Sequence, residues 1–265
     1  MVAHMPNNDV SSVAAKAVAL RGLQSPGSFL VMPNAWDAAS ARVFAKAGFA
    51  AIATTSGGVA QAVGFEDHEG APVGEMLAAA RRITRSVDIP VTVDFESGYG
   101  LTPNEIAERL IEAGAAGMNI EDSDHHSGAP LVDAEAQARR LSDIKAAARK
   151  AGADLVMNAR VDSFILRVGT REEQLADGIR RGKLYLDAGA DSIYPIGVTD
   201  ETLIGQLVQA LGPINVMMWP GASPPLARLK ELGVRRVTYA TGIFRRLYAQ
   251  LEEVAGEIQV ESGNA

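Results

Sequence analysis

Three short stretches place charged side chains where buried strands are expected to be apolar. "VTVDFESG" at 91–98 carries Asp94 and Glu96, "MNIED" at 118–122 carries Asn119 and Glu121, and "MNARVD" at 157–162 carries Asn158, Arg160 and Asp162. Strand side chains alternate between two faces. Thr92, Asp94 and Glu96 therefore share one face against Val91, Val93 and Phe95. In the same way Asn119 and Glu121 oppose Met118 and Ile120, and Asn158, Arg160 and Asp162 oppose Met157, Ala159 and Val161. At least three carboxylates then face one guanidinium, and each uncompensated buried ion costs several kcal/mol. An internal salt bridge explains a single acid–Arg pair. A divalent cation removes the excess, and oxygen donors suit Mg²⁺ or Mn²⁺. Without cysteine or a multi-histidine ligand set, zinc has no support.

Other signals are weaker. "TTSGG" at 54–58 reads either as an ordinary turn or as a site where Ser56 and the backbone N–H groups of Gly57 and Gly58 hold an anion, since glycine lets backbone approach a ligand. "GFEDHEG" at 64–70 holds Asp67 and His68 in a polar loop. "EDSDHHSGAPLVDAE" at 121–135 is a long connection carrying His125 and His126, either surface residues or part of a mobile lid. Met217, Met218 and Trp219 read as core or pocket wall.

These residues need a scaffold, and its unit is repeated. A helical segment, an Ala-Gly or Leu-Gly pair and an apolar run recur as "KAGFAAIATTS", "EAGAAGMNIED", "KAGADLVMNAR", "DAGADSIYPIG" and "ELGVRRVTYAT". Glycine just past a helix end supplies a left-handed cap, so each copy reads as a helix turning into a strand. Eight strands are expected, at 29–36, 50–56, 90–96, 117–122, 155–161, 192–197, 214–219 and 235–240. "TPNE" at 102–105, "TREE" at 170–173 and "SPP" at 223–225 read as helix starts. A further helix is expected at 12–24. Eight strand–helix units point to a closed (β/α)8 barrel of the TIM type, in which catalytic residues sit at the C-terminal mouth. A doubly wound sheet is the alternative, without its glycine fingerprint. Residues 1–265 read as a single barrel domain, with 1–10 and 261–265 as flexible ends.

Composition bounds the partners. The 265 residues carry a formal charge of −7, with 47% hydrophobic and 22% charged residues and no cysteine. This is ordinary soluble-protein composition, and the charge opposes general affinity for nucleic acid or an anionic membrane. No apolar run approaches the roughly 18 residues that span a bilayer. A soluble cytoplasmic protein is the expectation, and the net charge says nothing against a small anionic substrate, whose fate depends on local charge.

With these residues assembled, the chain resembles the isocitrate lyase / phosphoenolpyruvate mutase superfamily along nearly its whole length. The matching pieces are "PNAWDAASARVFAKAGF", "SGG" at 56–58, "GFED" at 64–67, "VDFESGYG", "GMNIED", "NARVDSF" and "AGADSIYP". The resemblance implies a (β/α)8 barrel, often tetrameric with its last helix exchanged between protomers. It implies Mg²⁺-assisted cleavage or formation of C–C or P–C bonds beside a carboxylate, through enolate-type intermediates. Asp94 would be the direct metal ligand, with Glu96 and Glu121 acting largely through waters. Asp67 would position metal water or substrate. Ser56, Gly57 and Gly58 would bind a substrate carboxylate, and Arg160, beside Asn158, would grip the substrate.

The chain also departs from that pattern. Isocitrate and methylisocitrate lyases carry a Lys-Lys-Cys-Gly-His loop after the fourth strand, where this chain reads "SDHHSGAP". The mutase's longer gating loop is absent, the sixth strand ends "YPIG", and the seventh reads "MMWPG". The expectation is a Mg²⁺-dependent lyase-type enzyme for a small 2-oxo or 2-hydroxy di- or tricarboxylate, with His125 or His126 as proton donor. Phosphonopyruvate-type P–C chemistry and non-catalytic oxoacid binding are the alternatives, and a dimer or tetramer is expected.

Overall fold

The computed structural model describes residues 9–125 and 127–263. Among the described residues there are nine short strands: β1 (Leu30–Val31), β2 (Asn34–Ala35), β3 (Ile52–Thr54), β4 (Val91–Asp94), β5 (Gly117–Glu121), β6 (Val156–Val161), β7 (Ser192–Pro195), β8 (Asn215–Met217) and β9 (Arg236–Thr238). Every pairing between these strands is parallel, in the orders β2-β3-β4-β5-β6-β7 and β1-β9-β8. A parallel bridge between Ile193 and Ile214 joins β7 to the start of β8. β1 and β2 are two pieces of one expected strand. The first pairs with β9 and the second with β3, across Met32-Pro33, where proline has no N–H to give a ladder. With that strand counted once, eight strands close into the expected (β/α)8 barrel.

The helices are α1 (Val10–Gly22), α2 (Ala38–Lys46), α3 (Ser56–Ala62), α4 (Val73–Thr84), α5 (Pro103–Glu112), α6 (Ala134–Lys150), α7 (Arg171–Asp187), α8 (Glu201–Leu211), α9 (Leu226–Glu231) and α10 (Gly242–Glu261). The repeated glycines do what the unit requires. Gly48, Gly114, Gly152, Gly189 and Gly233 all have φ between 81° and 98°, reversing the chain from helix into strand. Capping boxes form at Thr102/Glu105 and Thr170/Glu173. Ser223 does not cap α9, which begins at Leu226 after Pro225 with no side-chain cap.

The parity expected from sequence holds. Val93, Phe95, Met118, Ile120, Met157, Ala159 and Val161 join one core cluster with Leu110, Leu141 and Ile144 from the surrounding helices. Burying each large aliphatic side chain contributes about 1.5–3 kcal/mol. The opposite parity fills the barrel with buried polar groups: Thr92, Asn119, Asn158, Ser192, Asn215, Arg236 and Thr238. α1 closes the N-terminal end, where Leu20 packs with Ala53, Ala116 and Val156. Its Arg21 donates to Asp191 Oδ1 at 2.6 Å, and Lys145 Nζ lies 3.1 Å from the other oxygen of that carboxylate. One end of the barrel is thus plugged, leaving the C-terminal mouth for chemistry. No helix among the described residues is long and apolar enough to cross a membrane.

Candidate active site

Asp94 is the last residue of β4. Its Oδ2 accepts the Ser56 N–H at 3.1 Å and its Oδ1 accepts Asn119 Nδ2 at 3.3 Å. Its own N–H donates to Thr54 Oγ1 at 2.8 Å, tying it to β3. Beyond Asp94 the backbone leaves the extended region. Glu96 and Tyr99 have φ of 48° and 55°, values a non-glycine residue adopts only when its surroundings hold it there. Those surroundings are visible: the Tyr99 hydroxyl donates to Glu96 Oε1, and the Glu69 N–H donates to Glu96 Oε2 at 2.5 Å. Glu69 Oε1 in turn accepts Ser97 Oγ at 2.5 Å and the Tyr99 N–H at 2.7 Å. The loop between α3 and α4 and the loop after β4 are therefore stitched together.

Arg160 on β6 forks onto Asp162, with Nε and Nη2 at 2.6 and 2.9 Å from its two oxygens. Arg160 Nη1 also approaches Glu121 Oε2 to 2.6 Å, a charge contact whose angles are not those of a hydrogen bond. The other Glu121 oxygen lies 2.8 Å from His125 Nε2. Asp162 is held further by Ser123 Oγ at 2.5 Å, and its N–H donates to the fully buried Asp122 at 2.9 Å. Asp122 also accepts the Tyr185 hydroxyl at 2.7 Å and Arg181 Nη1 at 3.1 Å, which roots the mouth in α7.

One cation does not neutralise this cluster. Burial pushes the Glu121 carboxyl up to about 7 despite the opposing charge of Arg160 and the bond to His125, with Asp162 and Asp94 adding to the rise. Glu96 is also raised to about 7, chiefly by burial, against its bonds from Tyr99 and Glu69. Asp94 is partly open to the cavity yet has protein around it. Desolvation raises its carboxyl, and Arg160 and Ser56 pull the other way. The site is short of positive charge.

A cavity of about 220 Å³ opens over these groups, below the roughly 300–1,000 Å³ of drug-sized ligand pockets. Its walls include Ser56, Asp67, Asp94, Glu96, Glu121 and Arg160, gathering most of the residues singled out from sequence. Trp219 is pocket wall, as its position suggested. Gly57 and Gly58 lie within α3, so the expected turn is a helix start capped by Thr55. Gly57 makes room for Asp67: a Cβ there would sit 2.6 Å from Asp67 Oδ2. Asn158 lies below the cavity, fully buried, donating to Asn119 Oδ1 at 2.9 Å and accepting from Ser192 Oγ at 2.6 Å. His125 lines a neighbouring hollow of about 260 Å³. His126 lies outside the described residues. A larger groove of about 1170 Å³, lined by Arg42, Arg81, Arg109, Glu105 and Glu108 among others, runs over the helices rather than the strand ends and carries mixed charge.

Sequence reasoning missed Tyr99, Glu69 and Arg245. Tyr99 and Glu69 act through backbone conformations that no periodicity encodes. Arg245 lines the cavity from the first turn of α10 and stands 5.8 Å from the Trp219 ring. Its place just after a strand end was the available signal.

Residues 20–259 match the family described as phosphoenolpyruvate phosphomutase. The chain belongs to that family. The 2-methylisocitrate lyase of Bacillus subtilis is 28% identical over 261 residues, spanning 94% of this chain and 83% of its own. A provisional phosphonomutase from Burkholderia cenocepacia superposes with a TM-score of 0.85 at 39% identity, covering 91% of this chain and 99% of its own. The structure of 2,3-dimethylmalate lyase, of the phosphoenolpyruvate mutase/isocitrate lyase superfamily, superposes with a TM-score of 0.82 at 30% identity, covering 93% and 88%. The protein is an enzyme of the isocitrate lyase / phosphoenolpyruvate mutase type.

Membership in the phosphoenolpyruvate mutase family raises the question of a metal. Among the described residues, no group of three or more His, Asp or Glu side chains is arranged to hold an ion directly. Glu96 and Glu121 are engaged by protein donors instead. The arrangement fits an ion held through Asp94 and water, as Mg²⁺ prefers, and the uncompensated acids supply the field for it.

Proposed function

We propose that the protein is a Mg²⁺-dependent carbon–carbon lyase for a small 2-oxo or 2-hydroxy di- or tricarboxylate. The observation that carries this reading is that Asp94, Glu96 and Glu121 line one small cavity together with two guanidiniums, Arg160, which meets Glu121, and Arg245. Two cations in the wall suit a substrate with more than one carboxylate. Arg160, fixed by Asp162 and Glu121, orients the carboxylate beside the bond that breaks, and its rigidity preserves that geometry as charge develops. Arg245 reaches the distal carboxylate. Ser56 donates to the substrate at the entrance of α3, where Gly57 and Gly58 provide space, and Asp67 orients substrate or water. Asn158 acts from beneath by holding Asn119, whose amide donates to Asp94.

Asp94 would hold Mg²⁺ directly, with Glu96 and Glu121 acting through waters; Mn²⁺ meets the same donors. When bound, the ion supplies Lewis-acid stabilisation of the oxygen next to the cleaved bond, a contribution of several kcal/mol. The likeness to 2,3-dimethylmalate lyase favours cleavage of a substituted malate within this class, alongside decarboxylation or hydrolysis of an oxaloacetate-like acid. A second reading, P–C bond chemistry, is favoured by the likeness to the Burkholderia protein. Incubation with Mg²⁺ and a panel of oxaloacetate, substituted malates, isocitrate and phosphonopyruvate distinguishes them. Appearance of a 2-oxo acid from a malate supports the lyase, release or migration of phosphate supports the rival, and thermal stabilisation without turnover supports a binding protein.

We further propose that the protein works as a homo-oligomer built on α10. Leu247, Leu251, Val254 and Ile258 recur at helical spacing and are 48%, 56%, 47% and 61% exposed, an apolar stripe that a second copy would cover.

A further inference from the structure

The chain contains no cysteine, so no thiol can donate a proton at the mouth. Cleavage of a C–C bond leaves a carbanion that needs a proton, so some other group must supply it. Two histidines lie among the described residues near the mouth, and they are placed differently. His125 engages Glu121 Oε1 at 2.8 Å and lines the neighbouring hollow. His68 lines the cavity itself, together with Asp67, Asp94, Glu96 and Arg160.

The backbone at His68 is held in a strained form. His68 and Glu69 have φ of 62° and 59°, consecutive left-handed residues without glycine. Such pairs persist when the surroundings fix them, and they cluster at functional sites. Here the fixing contacts are those of Glu69: its N–H to Glu96 Oε2, and its Oε1 to Ser97 Oγ and the Tyr99 N–H. They pin the loop between α3 and α4 to the loop after β4, and His68 lines the cavity. The His68 ring then rests against that of His125, with centroids 5.8 Å apart and planes inclined by 48°. An imidazolium is the side chain suited to giving up a proton at neutral pH. Guanidinium, hydroxyl and phenol groups of the cavity hold their protons far more tightly, and the Glu96 and Glu121 carboxyls are turned to Tyr99, Glu69, His125 and Arg160 rather than left free for a substrate.

We propose that His68 is the proton donor of the cleavage step, a role that rests on the lyase reading above. With a substituted malate, the C2–C3 bond breaks and its electron pair passes to C3, which keeps its own carboxylate and leaves as the enolate of a carboxylic acid, while C1 and C2 become the 2-oxo acid. The His68 imidazolium transfers its proton to C3, forming the new C–H bond. The C2 hydroxyl proton leaves to solvent as the carbonyl forms, and the imidazole regains a proton from solvent. No oxidant or further reactant is needed.

The test uses His68→Asn and His68→Gly, chosen because asparagine and glycine accept a left-handed backbone that alanine would strain. Wild type and variants are assayed with Mg²⁺ and 2,3-dimethylmalate, other substituted malates and oxaloacetate, with melting temperature as the folding control. The expected result is a loss of roughly 10²–10⁴-fold in kcat for both variants, retained thermal stabilisation by oxalate, and partial recovery of His68→Gly by added imidazole. A His68→Asn enzyme within twofold of wild type would overturn the assignment while leaving the lyase reading intact. Absence of imidazole rescue would reduce His68 to a structural residue. A wild-type enzyme that cleaves none of these acids would overturn the lyase reading and the donor role together.

Discussion

Gly57 offers a sharp test of how the fold positions the site, because it separates stability from activity. A methyl group at this position would sit 2.6 Å from Asp67 Oδ2 and 3.0 Å from Thr241 Oγ1. Ordinary contact begins near 3.4 Å, so the Asp67 carboxylate must retreat by about 0.8 Å in Gly57→Ala. The clash is with the end of a rotatable side chain, so the fold can absorb it. Replacing glycine by alanine inside a helix contributes about 0.5–1 kcal/mol of stability, which offsets the shift. The melting temperature should therefore stay within a few degrees of wild type. Activity should not survive as well, since a displacement of about 1 Å in a positioning group can cost on the order of 100-fold. The assay is kcat/KM on the substrate found in the panel, beside a thermal melt of the same preparation. Full activity in a normally folded Gly57→Ala protein would refute the reasoning, because it would mean that Asp67 need not stand where Gly57 leaves room for it.

Other consequences follow from the same structure. Lys145→Ala should destabilise the protein by about 1.5–3 kcal/mol in urea unfolding, the range for hydrogen bonds to charged groups, because Lys145 Nζ lies 2.7 Å from Asp154 and 3.1 Å from Asp191 at the closed end of the barrel, while Arg21 and Arg149 still face those carboxylates in its absence. Burial alone would raise the Asp154 carboxyl, but Lys145, Arg21 and Arg149 outweigh it and hold it below the usual range. Its contribution is present above the ordinary aspartate pKa and is lost as pH falls through the depressed folded value, so Asp154→Asn should flatten the acid limb of a stability–pH curve. Leu251→Glu, in the middle of the exposed stripe of α10, should shift sedimentation toward the monomer; an unchanged assembly would remove α10 from the interface.

Much of the barrel was legible because its punctuation is local. Ala-Gly pairs mark helix ends wherever they occur, and alternation of side chains assigns Asp94, Glu121 and Arg160 to the inner face without knowledge of the whole. What escaped depends on long-range geometry. The first strand splits at Pro33 because its two halves pair with β9 and β3, which are remote from each other in sequence. "SGG" looked like a turn, whereas Thr55 caps a helix there, and Gly58 leaves no room for a side chain beside Thr55 and Trp36. Glu96 was legible as an inward acid, but its partners Tyr99 and Glu69 meet it through three left-handed residues, a conformation rare enough that no local pattern announces it. Arg245 reaches the cavity only because the last helix begins at its rim.

The central claim is that the uncompensated acids at the mouth exist to hold a divalent ion through Asp94. Calorimetric titration of Mg²⁺ into the protein with saturating oxalate tests it most directly, comparing wild type with Asp94→Ala. The account predicts saturable binding to wild type and none to the variant, with turnover losing its Mg²⁺ dependence in parallel. Identical Mg²⁺ isotherms for the two proteins would contradict it.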